Sequence, residues 1–153
     1  MPIGFAVPRF GFAILFALAV FFAPPPARAM PFYLEDGVAA DGHDTVAYFT
    51  EGRAVKGDAT FQHEWMGAKW NFSSAANRDL FAANPEKYAP QYGGFCAYGI
   101  SYGGKPKGSG EAWSIHEDKL YLNLNRIIRT LWRTDIPGYV AKADANWPQL
   151  KDR

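Results

Sequence analysis

An apolar run closed by three consecutive prolines separates the start of this chain from the part that can fold. Residues 12–23 (FAILFALAVFFA) carry no polar side chain, and residues 24–26 are all proline. Residues 27–29 (ARA) then give the small-x-small pattern that signal peptidases cleave. Because the run is shorter than the roughly 20 residues that span a bilayer, we expect a cleaved signal peptide at residues 1–29 rather than a membrane anchor.

The product of that cleavage, residues 30–153, is expected in the periplasm or secreted, with no stable membrane anchor. Cys96 is the single cysteine of the chain, so no internal disulfide can support the fold. The fold therefore depends on a hydrophobic core, and the chain is rich in aromatic residues, with 12 Phe, 8 Tyr and 5 Trp. The formal net charge is +1 and no run of five like charges occurs, so we expect no nucleic-acid partner.

Two segments alternate apolar and polar residues on either side of a short turn, which is typical of β-hairpins. The first pairs residues 60–65 with 69–72, and the second pairs 113–116 with 119–123. The side chains predicted to face inward in the first hairpin are Phe61, Trp65, Trp70 and Phe72. In the second hairpin, the alternation predicts two opposite faces, formed by Leu120 with Leu122 and by Tyr121.

A serine followed by a helix-favouring run predicts the central helix of the fold. Residues 75–84 (AANRDLFAAN) can begin under a side-chain cap from Ser73 or Ser74, because a serine oxygen can accept a free amide of the first turn. Leu80 and Phe81 are predicted to turn inward from this helix.

Less regular segments complete the chain. Residues 44–49 (DTVAYF) are typical of a short strand or a buried turn, and residues 90–110, rich in Gly and Tyr, of an ordered loop packed on the core. Asn125 can cap a last helical stretch, in which the apolar residues at helical spacing are Ile127, Ile128, Leu131 and Trp132. With a shorter segment at 139–143, these elements predict a small single α+β domain with two β-hairpins, a central helix and C-terminal helices.

Several short sequence motifs follow one another in a characteristic order along the chain. They are 42–44 (GHD), 46–49 (VAYF), 72–78 (FSSAANR), 85–88 (PEKY), 89–97 (APQYGGFCA), 119–123 (KLYLN) and 147–148 (WP). In this joint order they resemble the YHS-domain family, in its exported, single-domain form. The resemblance spans nearly all of residues 38–150 and indicates that residues 30–153 form a YHS-like domain.

The resemblance implies that the fold carries over, but not the family's familiar metal site. In metal-type YHS domains, the strand before the helix runs into Cys-Ser-x-x-Cys, which turns two thiolates toward one ion. Ser73 and Asn77 occupy those two cysteine positions here, and the family's Asp-Pro-Val-Cys-Gly opening resembles only residues 44–48 (DTVAY). A hydroxyl or an amide is a poor ligand for copper or zinc, so we do not expect a metal at that place.

His43 and Cys96 are the candidate metal ligands. Cys96 lies among small residues, where it can ligate copper or haem iron, act as a reactive thiol, or be buried as a small apolar side chain. At His43, a neighbouring carboxylate such as Asp44 can fix the ring tautomer and leave one nitrogen for a metal; alternatively, the ring holds its own turn by local hydrogen bonds while Asp44 caps the next segment. A cysteine with a histidine suits copper or the axial ligation of noncovalent haem.

Two tyrosines of the glycine-rich loop, Tyr92 and Tyr98, are candidates for cofactor binding. Their ring faces offer contact area and their hydroxyls offer polar contacts, although the same rings can simply cover the core. His63 lies on a predicted hairpin strand and His116 beside a predicted turn, so both are expected at the surface.

These residues favour an exported binding module that holds a soft metal ion, or a metal-containing cofactor, near His43 and Cys96. The enzyme alternative makes Cys96 a redox or nucleophilic thiol, and a third alternative is a structural interaction domain with no small ligand. A functional pair of cysteine and histidine is identified by the distance and orientation of the two side chains. The positions of Cys96 and His43 therefore bear on the choice among these three alternatives.

Overall fold

The computed structural model describes residue 1, residues 3 and 4, and residues 31–153. The signal peptide expected at residues 1–29 therefore lies almost entirely outside the described residues. The strands are β1 (Leu34–Glu35), β2 (Val38–Ala39), β3 (Asp58–Trp65), β4 (Ala68–Phe72), β5 (Ser109–His116) and β6 (Lys119–Asn123). The helices are α1 (Ala47–Thr50), α2 (Ala75–Ala83), α3 (Pro85–Tyr88), α4 (Ala97–Ser101), α5 (Arg126–Trp132) and α6 (Ile136–Leu150). Among the described residues, no helix combines the length and the apolar character that crossing a bilayer requires.

The first predicted hairpin is confirmed as β3 and β4, which belong to the larger of two sheets. Its strands lie in the order β1-β2-β4-β3, with β2 and β4 parallel and the other neighbours antiparallel. Met66 and Gly67 make the hairpin turn with φ angles of 50° and 76°, as two-residue turns between twisted strands require. Trp70 and Phe72 are fully buried and pack on Phe81 of α2. The other two residues predicted to face inward are partly buried, namely Phe61 and Trp65.

The central helix is confirmed as α2. It begins at Ala75 because the Ser74 hydroxyl oxygen accepts a hydrogen bond from the Asn77 amide at 3.1 Å, which decides between the two serines proposed as caps. Phe81 is buried as predicted, but Leu80 is 45% exposed, so its predicted inward orientation is wrong. Neighbouring residues on a helix point about 100° apart, and Phe81 alone lies on the side that meets β4.

Residues 44–46 form a buried turn and residues 47–49 already belong to α1, so the strand alternative is wrong. The Asp44 carboxylate accepts hydrogen bonds from the amides of Val46 and Ala47 at 3.0 and 3.1 Å, and this local cap bends the chain into a helix. The apolar residues that suggested a strand are buried by the helix instead; Tyr48, for example, is 1% exposed.

The second predicted hairpin is confirmed as β5 and β6, a separate two-stranded sheet. Leu120 and Leu122 pack with Tyr48 in one apolar cluster. Tyr121, on the opposite face, packs on Trp132 of α5 with 5.0 Å between the ring centroids. Both faces of β6 are therefore covered, and this places β6 at the centre of the fold.

The C-terminal helices differ in detail from the prediction. Asn125 caps α5 as expected, accepting the Ile128 amide at 2.9 Å. Trp132 is fully buried, but Ile127 and Leu131 are 73% and 44% exposed, so only part of the predicted apolar face meets the core. α6 is much longer than the segment predicted at 139–143.

Residues 90–110 are ordered and packed on the core as predicted, but they also contain a helix, α4, which the abundance of glycine concealed. Tyr92, Gly93 and Gly94 have φ angles of 54°, 62° and 80°, which turn the chain sharply before α4. The rings of the loop then pack between α4 and α6, and this packing orders a segment that lacks regular strand structure.

Candidate functional site

Asp44 is a fully buried carboxylate that accepts five hydrogen bonds. Its Oδ1 atom receives the two amides at the start of α1. Its Oδ2 atom receives the amide and hydroxyl of Ser73 at 2.9 and 2.6 Å and the side-chain amide of Asn77 at 2.7 Å. These donors satisfy the carboxylate and join α1, the end of β4 and α2, so we call Asp44, Ser73 and Asn77 the Asp44 network.

His43, the neighbour of Asp44, turns its ring away from that network. The ring is buried, with Nδ1 2.9 Å from the Asp41 carbonyl oxygen and Nε2 3.3 Å from a carboxylate oxygen of Glu111. The ring can donate to both oxygens only with a proton on each nitrogen. The local contact with Asp41 matches one of the two alternatives predicted for His43, but the carboxylate that faces the ring belongs to Glu111 rather than Asp44.

The start of β5 closes over the His43 ring. A side chain at Gly110 would overlap the imidazole, so only glycine lets the strand approach this closely. The Gly110 amide donates to Asp41 Oδ2 at 3.0 Å, and its carbonyl accepts the Tyr48 hydroxyl at 2.7 Å. Burial, aided by the negative charges of Asp41 and Glu111, raises the pKa of Tyr48, which keeps this hydroxyl a neutral donor.

Cys96 lies in a different network. It is 1% exposed, caps α4 by accepting the Gly99 amide at 3.5 Å, and places its thiol 3.6 Å from the Asn123 side-chain oxygen. Burial raises the pKa of this thiol, and a protonated thiol is both a weak nucleophile and a weak metal ligand. Cys96 and His43 share no hydrogen-bond partner. The soft-metal site at these two residues stays a prediction.

The two tyrosines predicted to bind a cofactor pack against α6. Tyr92 is buried, and its hydroxyl donates to Asp144 at 2.8 Å while its ring contacts Trp147. Tyr98 is half-buried, with its ring centroid 5.1 Å from that of Tyr139. The contacts of both rings are those of core residues, and their cofactor role stays a prediction.

The two histidines expected at the surface are half-buried. His63 lies beside Phe81, with 6.1 Å between ring centroids, so the helix covers part of its ring. His116 has its Nε2 atom 3.9 Å from the Glu117 carboxylate at the hairpin turn. The packing of His63 on Phe81 depends on where α2 lies, which strand alternation alone does not reveal.

An open cavity of about 440 Å³ lies on the far side of Glu111. We call it the arginine cavity, after the charged and aromatic residues that line it: Arg53, Glu111, Trp113, Arg126 and Arg129. Arg126 donates to Glu111 at 3.2 Å, so the Glu111 carboxylate links the buried His43 ring to the cavity. The hydrogen bonds from His43 and Arg126 lower the pKa of Glu111 and keep it ionised at neutral pH.

Sequence reasoning missed this cavity because its residues come from three separate parts of the chain. Arg53 follows α1, Glu111 and Trp113 belong to β5, and the other two arginines belong to α5. The available signal was the spacing of Arg126 and Arg129, which three positions on a helix place on one face. That pair alone does not reveal that Arg53 and β5 line the same cavity.

The comparisons with known proteins agree with the resemblance seen in the sequence. A family model of the YHS domain matches residues 46–92. The predicted YHS domain is thereby confirmed over a range that includes Ser73 and Asn77 but ends before Glu111 and α5. No curated protein sequence and no solved structure matches the chain.

A YHS domain suggests a metal-related role, but the residues at the family's metal positions do not fit a soft ion. Ala47, Ser73 and Asn77 stand where the resemblance places cysteines, and all three direct N–H or O–H donors at the Asp44 carboxylate. A cation at this place would face those hydrogens and no thiolate. Within the described part of the chain, no three His, Cys, Asp or Glu side chains are grouped so as to hold a metal ion.

Proposed function

We propose that this chain, which carries a YHS domain over residues 46–92, is an exported binding module that holds a small molecule in the arginine cavity. The observation that carries the proposal is the cavity itself, whose volume of about 440 Å³ falls in the range of small-molecule sites. Its polar wall is positioned by regular structure, since β5 and α5 supply most of it. Rigid elements of this kind hold binding groups in place before a ligand arrives.

The state of the thiol supports binding over thiol chemistry. A nucleophilic or redox cysteine needs access and a lowered pKa, whereas Cys96 is buried and its pKa is raised. Its hydrogen bonds serve the start of α4. The binding proposal therefore places the ligand in the arginine cavity, whose lining does not include Cys96.

The proposal is tested by titrating residues 30–153 with phosphate, malonate, lysine and glucose while recording amide and indole NMR signals. We expect at least one compound to shift the Trp113 indole signal and the amides of residues 52–54 along a saturable curve. The same compound should raise the thermal midpoint. No saturable shift with any of the four, or shifts confined to other parts of the domain, would overturn the proposal.

Export is proposed from the leader, residues 1–29. Expression of the full chain, followed by fractionation and mass determination of the product, tests it. We expect a product that begins at Met30 in the exported fraction, because residues 27–29 fit the signal peptidase. A full-length product in the cytoplasm or membrane fraction contradicts export.

The metal-related role that a YHS domain suggests supports a second candidate, a soft metal or noncovalent haem, for which His43 and Cys96, both outside residues 46–92, are the predicted ligands. Titration with copper(I) and with haem, read by bound metal and by absorption, tests it. A stoichiometric metal or haem signal that Cys96→Ser abolishes would support this candidate. A protein that binds neither, or binds them equally after the substitution, would leave the arginine cavity as the proposed site.

A further inference from the structure

We infer that the arginine cavity binds a small oxyanion with two negative charges, carried either by a phosphate group or by a dicarboxylate. The inference rests on the proposed binding function and adds the class of ligand. Around the cavity, the arginine side chains outnumber the carboxylates that pair with them.

Two of the three arginines that line the cavity already have a carboxylate partner. Arg53 pairs with Glu51 at 2.6 Å, and Arg126 pairs with Glu111 at 3.2 Å. Arg129 forms no ion pair with any residue that the structure describes. The positive charge of Arg129 is therefore the one that a ligand can neutralise.

The hydrogen bonds of Arg129 are also incomplete. One terminal nitrogen, Nη1, donates to the Trp113 carbonyl at 3.1 Å, and Nε is buried without a partner. Leaving a charged donor buried and unpaired is costly, so proteins rarely keep one without a reason. The Trp113 contact holds the guanidinium in place at the cavity wall while part of its donor capacity remains unused.

The neighbouring charges add to the positive potential at Arg129. Arg133, one turn further along the chain, donates to the Ser114 hydroxyl at 3.1 Å and forms no ion pair with any described residue. Burial, with the positive charges of Arg133 and Arg126, lowers the pKa of Arg129. An anion in the cavity would offset this repulsion, because opposite charges within a few ångströms favour the ionised guanidinium.

The chemistry of the guanidinium group selects an oxyanion over a simple halide. Its planar set of donors matches two oxygens of a phosphate or carboxylate at once. Arg126 at the wall of the cavity already binds a carboxylate oxygen, since its Nη2 atom donates to Glu111 Oε2 at 3.2 Å. A ligand with two negative charges can engage Arg129 and also compete with Glu111 for Arg126.

The inference is tested by measuring dissociation constants of phosphate and malonate for residues 30–153 at constant ionic strength, with glucose and lysine as the other probes. Arg129→Gln should weaken binding of the preferred anion about 10- to 100-fold, the typical effect of losing a charged hydrogen bond. Arg126→Gln, at a side chain that is 74% exposed, gives the same test in a variant whose folding is not at risk. Glu111→Gln should strengthen binding, because it removes the competing carboxylate.

Arg78→Gln is the matched control, since it removes the same charge on α2, outside the cavity. Preference for phosphate over malonate, or the reverse, identifies the oxyanion. If Arg78→Gln weakens anion binding as much as Arg129→Gln and Arg126→Gln do, the inference is wrong. Saturable binding of glucose or lysine without either anion overturns the inference while leaving the proposed binding function standing, whereas no binding of any probe overturns both.

Discussion

The Asp44 network and the arginine cavity are both built from charged groups, yet their charges are satisfied in opposite ways. In the network, one buried carboxylate receives five hydrogen bonds from its own chain. In the cavity, positive charges outnumber their partners and one guanidinium nitrogen is buried without any. A fully satisfied polar group stabilises the fold, whereas an arginine that lines a cavity without a carboxylate partner leaves its charge to a ligand.

Glu111 lies between these two regions and shows how they are connected. It contacts the buried His43 ring, which precedes Asp44 in the chain, and it also pairs with Arg126 at the cavity. The Asp44 network and the proposed ligand site are therefore linked through His43 and one exposed carboxylate. Substitutions in the Asp44 network should therefore lower the stability of the fold strongly, whereas substitutions at the arginine cavity should lower it only slightly.

Asp44→Asn should produce the largest loss of stability. The new side-chain amide would direct hydrogens toward Ser73 and Asn77, which are themselves donors, and disrupting a buried charged network costs about 3 kcal/mol or more. Urea unfolding measures the loss. Asp118→Asn is the control, because Asp118 lies in an exposed turn with a φ of 57° that asparagine tolerates. Equal stability of the two variants would show that the network contributes little.

Gly110→Ala should have the next largest effect. The added methyl group would overlap the His43 ring, and forcing extra volume into a packed site costs about 1–3 kcal/mol. Thermal unfolding measures it, with Gly104→Ala as control because a Cβ there meets only ordinary contacts. An undisturbed midpoint in Gly110→Ala would mean that the close approach of β5 to His43 is not needed.

Cys96 should resist alkylation in the native protein and react quickly in urea, since burial raises its pKa and hides the sulfur. The unfolded thiol ionises near pH 8.5, so stability due to the neutral thiol is present below about pH 8.5 and falls as the pH rises toward the raised native pKa. The stability advantage of the wild type over Cys96→Ala should shrink accordingly between pH 8 and 10. Fast native alkylation would restore the thiol-enzyme alternative.

Glu111→Gln should have the smallest effect on stability, because the Glu111 side chain is 55% exposed and solvent screens its contacts. Its pKa is lowered in the folded protein, so its contribution is present above the ordinary glutamate pKa of about 4.3 and is lost as the pH falls through the native value. The difference in thermal midpoint between wild type and variant should be small at pH 6 and smaller still at pH 3. A larger difference at pH 3 than at pH 6 would contradict this assignment.

The secondary structure was largely predictable because it depends on local pattern. Alternation located both hairpins to within a few residues, and Ser74 and Asn125 marked the starts of two helices through the amides that their side chains cap. The strand alternative for residues 44–49 came from their β-branched residues. The turn that forms instead depends on the Asp44 carboxylate, which accepts only two backbone amides. The exposure of Leu80 and Ile127 could not be predicted, since it depends on which elements pack against each helix.

The amino-acid sequence by itself determined the hairpins, the capped helices, the single thiol and the match of residues 46–92 to a YHS-domain model, because each of these depends on residues that are close together in the chain. The tertiary structure alone decided which polar groups meet. It placed Ser73 and Asn77 on Asp44, His43 on Glu111, and Arg53 at the same cavity as the arginines of α5. Such long-range contacts follow from how the elements pack, and no local pattern of residues encodes their distances.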